Sequence, residues 1–374
     1  MIDKETKMEL TIMLTVTEMC NLSCVYCYEH NKSARKMSFR TAKKIIDDNF
    51  AKLGAYDRLN IRFFGGEPFL AFDLIKDVVK YVEGKHWPAS YSFFATTNGT
   101  LIHGEIQKWL RDHPNFSVGL SLDGPRNMHN LNRSNSFDLI DLSFFKENYS
   151  PFGIKLTISK LTLPMLADGI IECHKMGFDI SCNLAYGVEW DTNDYCLLKE
   201  ELGKLIGYYL NNPNVKPCSM LNLNIWLVAY DTPHTEKWCG AGTTMFTYAV
   251  NGIRYPCHYF MPITNKRGSQ EEIDKLIFTE EIPSEVLDKK CQVCIARNIC
   301  PSCYGSNFVS HGNMYHKDDM FCQFAKLIFY ANAYFTVKRW ESGQMTDISG
   351  SKITAMLVGA KRIIEWFKND EEEN

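Results

Sequence analysis

Three cysteines, Cys20, Cys24 and Cys27, lie within eight residues of one another in "CNLSCVYCYEH", spaced C-x3-C-x2-C. Zinc takes four nitrogen or sulfur ligands, usually as two close pairs, and His30 is the one nearby candidate for a fourth. Iron–sulfur clusters are held by thiolates, and three of them can hold three irons of a 4Fe–4S cube. The fourth iron would then stay open for a small molecule, as a catalytic zinc keeps an open position. Zinc with His30, or three buried cysteines without a ligand role, are the alternatives. Seven more cysteines crowd the second half: Cys239, Cys257, Cys291, Cys294, Cys300, Cys303 and Cys322. Their core, "CQVCIARNICPSC", is C-x2-C-x5-C-x2-C, and its two close pairs could by themselves hold zinc. Cys173, Cys182, Cys196 and Cys218 are expected to be small buried hydrophobes, with Cys218 nearest a domain junction.

Composition narrows the setting of this chemistry. A formal net charge of −3 over 374 residues gives no electrostatic reason to expect nucleic acid or a membrane surface as partner. The start, "MIDKETKMELTIMLTV", lacks the basic and apolar regions of a signal peptide, and no run of eighteen apolar residues follows. A cytoplasmic protein is expected. In that reducing compartment, 14 cysteines argue for metal ligation over disulfides. The acidic end "NDEEEN" reads as a solvated, frayed tail.

The elements that must position the cysteines alternate. Strand-like runs are predicted at 10–16, 59–65, 92–99, 116–124, 153–159 and 178–187, rich in Ile, Val, Phe and Thr and ending in Gly or Asp. Helical stretches lie between them; the first has Ser38 as N-cap, Ile45, Ile46 and Phe50 at helical spacing, and Gly54 as its stop. Six βα units predict an α/β fold with a parallel sheet curved into a partial TIM-type barrel. Chemistry in such folds sits at the carboxyl ends of strands. The first cysteine loop, Gly65-Gly66-Glu67, Thr97-Asn98-Gly99 and Ser121-Leu122-Asp123-Gly124 all fall there. After residue 215 periodicity weakens, as in a domain organised by metal. "NLNIWLVAYD" reads as a strand or buried helix, and two closing helices follow Gln323. The expected organisation is 1–215 barrel, 216–235 linker, 236–325 cysteine-rich domain, and 326–374 C-terminal helices with the acidic tail.

C-x3-C-x2-C with Tyr26 before the last cysteine, after the first strand of a βα series, resembles the radical S-adenosylmethionine superfamily over about 10–209. "GGEP", Gly65 to Pro68, resembles the family's loop for the amino group of the methionine moiety, with Glu67 or nearby carbonyls as acceptors. "SLDGPRNMHNLNR" resembles the stretch that contacts the ribose and the carboxylate, which matches Ser121 and Arg133 to those roles; a guanidinium fork suits a carboxylate. Tyr26 would contact the adenine, and Asn98 and Asp123 join the cofactor-binding set. The resemblance implies that one electron from the reduced cluster cleaves S-adenosylmethionine to a 5′-deoxyadenosyl radical, which abstracts a substrate hydrogen. The protein supplies binding, orientation and exclusion of water.

The later cysteines, with Gly252 before Cys257, resemble the SPASM domain of radical enzymes that modify peptides and proteins. One departure is the two-residue gap between Cys300 and Cys303, where the usual gap is three. The resemblance implies two auxiliary 4Fe–4S clusters, three clusters in all. Cys291, Cys294, Cys300 and Cys322 would hold the distal one. Cys239, Cys257 and Cys303 would hold the nearer one with an iron left open, since Met245 stands where some relatives carry an eighth cysteine. His258 or an unplaced cysteine is the rival fourth ligand.

Sulfatase-maturing members carry an Asp after the second SPASM cysteine, and His258 stands there in this chain. A neutral imidazole can accept a proton, but the departure makes formylglycine formation from Ser or Cys the second reading. The first is a maturase that joins a ribosomally made precursor peptide to itself by a thioether or carbon–carbon cross-link under anaerobic conditions. Its expected partners are that peptide and a reductant such as flavodoxin or ferredoxin. Nineteen residues precede Cys20, too few for a winged-helix leader-binding domain, so the leader is expected to be held by a separate protein, by the SPASM surface, or not at all. Tyr28, Glu29 and His258 are the candidates for contacting substrate. A non-catalytic electron carrier is the remote alternative, because a carrier has no use for GGEP, Ser121 and Arg133.

Overall fold

The computed structural model describes residues 7–149, 153–230, 239–279, 281–346 and 348–373. In chain order the strands and α-helices are β1 (Glu9–Thr17), α1 (Phe39–Phe50), β2 (Arg58–Gly65), α2 (Phe72–Glu83), β3 (Ser90–Thr97), α3 (Gly104–Asp112), β4 (Phe116–Ser121), α4 (Arg126–Asn132), α5 (Leu142–Asn148), β5 (Gly153–Ile158), α6 (Leu166–Lys175), β6 (Asp179–Leu184), α7 (Thr192–Asn211), β7 (Met245–Tyr248), β8 (Arg254–Tyr255), α8 (Gln270–Asp274), α9 (Lys289–Gln292), α10 (Tyr304–His311), α11 (Asp319–Glu341) and α12 (Gly350–Glu373). The expected α/β class with parallel strands and closing helices is what these elements form. By its internal contacts the chain divides into two units: Met1–Leu122 with Arg133–Phe152 and Cys239–Glu280, and Asp123–Asn132 with Gly153–Trp238 and Glu281–Asn374.

In the first unit the strands run in the order β4-β3-β2-β1-β7-β8. β1 lies between β2 and β7, parallel to both, and Ile12, Leu14 and Val16 are fully buried. A central parallel strand covered on both faces is apolar almost throughout. α1 begins at Ser38, whose side chain accepts from the Thr41 N–H, and it buries Ala42, Ile45, Ile46 and Phe50. It ends at Phe50, short of Gly54. Gly54 instead donates its N–H to Asp57 Oδ2 in the turn that starts β2. Phe63, Phe93 and Phe116, from three adjacent strands, stack with centroids 5.5–6.3 Å apart and fill the interior.

β7 and β8 are a correction to the sequence reading, which placed no strand in this cysteine-rich region. Thr11 to Leu14 of β1 pair with Met245 to Tyr248, and β8 pairs antiparallel to β7. A four-residue strand is too short to show a period; its partner, not its own pattern, defines it.

The second unit contains β5 and β6, paired in parallel from Gly153↔Asp179 to Ile158↔Leu184. α7 starts with a capping box between Asp191 and Asp194. The stretch read as strand or buried helix is a 3-10 turn, Ile225–Ala229. Ile225 and Val228 pack with Ala296, Ile299, Phe329, Ala360 and Ile363, so the turn, the cysteine-rich loop, α11 and α12 share one core. α12 continues helical through the acidic run to Glu373, where a frayed tail was expected; glutamate is a strong helix former. Asn374, 231–235 of the expected linker and 236–238 of the expected cysteine-rich domain lie outside the described residues. Among the described residues no helix is long and apolar enough to cross a membrane.

Candidate active site

In the first unit the loop after β1 carries Cys20, Cys24 and Cys27, each half-buried, while His30 is exposed. Backbone fixes the start of this loop. Gly66 N–H donates to Thr17 O at 3.1 Å and Glu67 N–H to Met19 O at 2.8 Å. A Cβ on Gly65 would stand 2.0 Å from Thr17 O, and one on Gly66 would stand 2.2 Å from Met19 O and 2.8 Å from Cys20 N. Gly65 also has φ +143°, which favours glycine. The two glycines are therefore required by the chain's own close approach to the cysteine loop.

Side chains fix the rest. Asn21 donates to Thr100 Oγ1 at 2.7 Å and accepts from Asn98 Nδ2 at 2.9 Å. Asn98 Oδ1 accepts from the Thr100 N–H and hydroxyl. Ser23 N–H donates to Ser134 Oγ at 2.9 Å, and Ser134 holds a left-handed φ of 53° to present it. Asn21, Thr100 and Ser134 were missed in the sequence, where no motif marks them; contact across 79 and 111 residues brings them together.

Glu67 and Asp123, expected to touch cofactor, also accept hydrogen bonds from the chain itself. Glu67 is 1% exposed; Oε1 accepts from Phe69 N–H and the Thr97 hydroxyl, and Oε2 from Asn98 N–H. Burial outweighs these bonds and pushes its carboxyl up to about 7. Asp123, in the second unit, is fully buried, accepting from Thr157 N–H and Asn132 Nδ2, with its own N–H donated to His129 Nδ1. Both short acidic side chains follow glycine- or strand-end turns and help to hold them.

Arg133 is where the matched stretch meets the cysteines. It is buried, its Nη1 lies 3.9 Å from Cys24 Sγ, and its guanidinium stands 5.5 Å from the Tyr26 ring centroid. Ser121, half-buried, ends β4 in the same unit. Lys32 adds a second cation: burial disfavours its charge, but Cys27 and Cys20 outweigh that and hold it protonated. Three half-buried sulfurs in one short loop, with two cations in their field, fit an anionic cluster.

Tyr28 stacks on Tyr259 with centroids 4.5 Å apart and lies 5.3 Å from the His258 ring, which is itself 4.9 Å from Phe64. Two of the three candidates for substrate contact thus meet in one aromatic group. Glu29 is buried, and burial pushes its carboxyl up to about 7. Cys239 and Cys257 belong to this unit and Cys303 to the other.

In the second unit Cys291, Cys294, Cys300 and Cys322 line one cavity of about 450 Å³. Cys291 and Cys294 are pushed up first by burial and then by the charge of Cys300, Cys294 to about 12; Cys322 is pushed up by burial against the opposing charges of Lys317 and Lys290. Cys294 and Cys300 pack against the core of α11, α12 and the 3-10 turn. The four cysteines share one half-buried cavity, and among the described residues no three His, Cys, Asp or Glu side chains converge on a single metal-ion position. Of the remaining cysteines, Cys173, Cys182 and Cys218 are buried as expected, whereas Cys196 is exposed on α7.

Residues 14–141 match the model of the radical SAM superfamily and form a radical SAM domain. Among relatives, the cysteine-type anaerobic sulfatase-maturating enzyme of Clostridium perfringens is 33% identical over 157 residues, 38% of this chain and 42% of that protein. The radical SAM cyclopropyl synthase TigE of Paramaledivibacter caminithermalis is 21% identical over 359 residues, 85% of this chain and 72% of that protein. The chain spans about half or less of the length of the curated relatives that it matches at 32–34% identity. The solved structure of native anSMEcpe with bound AdoMet and Cp18Cys peptide superposes with a TM-score of 0.69 at 19% identity, covering 92% of this chain and all of that one, a likeness of fold.

Proposed function

We propose that this protein is a radical S-adenosylmethionine maturase that acts on a ribosomally made peptide and forms a thioether or carbon–carbon cross-link. The observation that carries the radical chemistry is Arg133, buried between Cys24 Sγ and the Tyr26 ring. A guanidinium there suits the carboxylate of an amino acid chelating the open iron. Cys20, Cys24 and Cys27 would hold the cluster, Tyr26, Ser121 and Arg133 the S-adenosylmethionine, with Gly65, Gly66, Glu67 and Asn98 fixing the loop. When bound, cluster and S-adenosylmethionine supply hydrogen abstraction from an unactivated carbon. Cys291, Cys294, Cys300 and Cys322 would hold a distal auxiliary cluster.

The peptide substrate is supported by the likeness to a fold solved with a peptide bound. At the position of the sulfatase-maturing Asp stands His258, packed among Tyr28, Phe64 and Tyr259. Formylglycine formation is the second reading, favoured by the kinship with the Clostridium perfringens enzyme. Mass spectrometry of a precursor peptide co-expressed anaerobically with the enzyme separates the two. Loss of two hydrogens per site, with no fragments between the joined residues, is expected. A new aldehyde on an unlinked peptide would replace the first reading by the second.

A further inference from the structure

Lys317 is a lysine with an unusual counter-charge. It is 7% exposed, and its ammonium lies 2.9 Å from Cys300 Sγ. Its backbone N–H donates to Asp288 Oδ2, but among the described residues no carboxylate pairs with its Nζ. A buried ammonium without an anion carries a heavy desolvation cost. Here the partner is a sulfur: Cys300 Sγ stands within hydrogen-bond distance of the buried Nζ.

More cations ring the same cavity. Lys290 sits at its edge, bonded to Lys317 O and paired with Asp319. Lys326 lies 5.4 Å from the Trp366 ring centroid, and both line the cavity with Arg297. The neighbouring acids have partners of their own: Asp288 binds His316 Nδ1 and the Lys317 N–H, Asp318 accepts from the Phe321 N–H, and Asp319 pairs with Lys290. Four thiolates around a 4Fe–4S core leave a net negative charge that grows by one on reduction. A fixed cation and a hydrogen bond at a ligand sulfur both favour the reduced state, and most strongly in a half-buried site.

We infer that Lys317 is a positioning residue that sets the reduction potential of a cluster held by Cys291, Cys294, Cys300 and Cys322, raising it by placing a buried ammonium against Cys300. The inference rests on the proposed auxiliary cluster, and it adds a role for a residue outside every cysteine motif. Such a potential suits the cluster to take up an electron.

The test uses the full chain with Cys20, Cys24, Cys27, Cys239 and Cys257 changed to Ala, which isolates the distal cysteines. Iron and sulfide are counted, and the couple is titrated anaerobically by electron paramagnetic resonance. Lys317→Met, and Lys317→Gln, which keeps an N–H donor, are compared with the parent. With iron retained, the ratio of reduced to oxidised cluster at a fixed poise is expected to fall at least tenfold in Lys317→Met, a shift of about 59 mV to lower potential. A smaller fall in the same direction is expected in Lys317→Gln. An unchanged potential with a full iron count would overturn the role. Loss of iron in both variants would mark Lys317 as an assembly residue and overturn it equally. A parent without iron and sulfide would remove the auxiliary cluster itself, a failure distinct from the other two.

Discussion

Single residues in the first unit divide into those that face the cysteines and those that hold the loop. Arg133 faces them. A charge-assisted bond is worth about 1.5–3 kcal/mol, and about 1.4 kcal/mol is tenfold in affinity. Arg133→Ala is therefore expected to weaken S-adenosylmethionine binding about ten- to hundredfold, measured by equilibrium dialysis of the reconstituted enzyme, with iron content unchanged. An unchanged affinity would remove Arg133 from the site. Glu67 holds the loop, and its carboxyl is raised from 4.5 to about 7. Between those values the folded chain keeps a proton that the unfolded chain has lost. Stability must then fall as pH rises through that window and level off above it, by up to about 1.4 kcal/mol per pH unit. Urea unfolding at pH 5 and pH 7.5 is expected to show this fall, and Glu67→Gln to flatten it. An equal pH dependence in both proteins would contradict the burial argument.

At the scale of elements, the β2–α2 turn and the cysteine loop are one construction. Gly66→Ala puts a methyl group 2.2 Å from Met19 O, and backbone cannot yield as a flexible side chain can. The variant is expected to lose the iron of the proposed first cluster while Thr11 to Leu14 of β1, paired with both β2 and β7, keep their amide protection. Colorimetric iron and hydrogen exchange check this; a variant with full iron content would show the approach to be looser than the geometry requires. In the second unit Phe329 of α11 is 2% exposed in the core that backs Cys294 and Cys300. Phe329→Ala is expected to cost about 3–5 kcal/mol and to lower the unfolding midpoint.

For the molecule as a whole, the proposed clusters would share the work of order with the apolar core. Between Ile282 and Lys317 the α-helices run four and eight residues, too short to stand without partners. Removal of iron by a chelator is expected to expose the amides of 282–318 to rapid exchange while β5, β6 and α7 stay protected. Equal protection with and without iron would show that the core of α11 and α12 suffices. How legible this was from the chain depends on distance in sequence. The six leading strands, the Ser38 cap and both closing helices were readable because each carries its own period or cap. β7 was not, since its definition lies in the Thr11–Leu14 backbone far upstream.

What the amino-acid sequence determined by itself is the chemistry: the thiol spacing, the order of the strands and the matched positions of Tyr26, Ser121 and Arg133 are local patterns, set by residue type and short intervals. Tertiary structure decided which polar residues also hold the architecture. Glu67, Asn98 and Asp123 sit in motifs that read as cofactor contacts, and they also make hydrogen bonds within the chain. It also put Lys317 against Cys300, 17 residues away, with no motif to announce it. The physical reason is the same in each case: burial forces every charge and donor to find a partner, and which partner is near is a property of the folded chain.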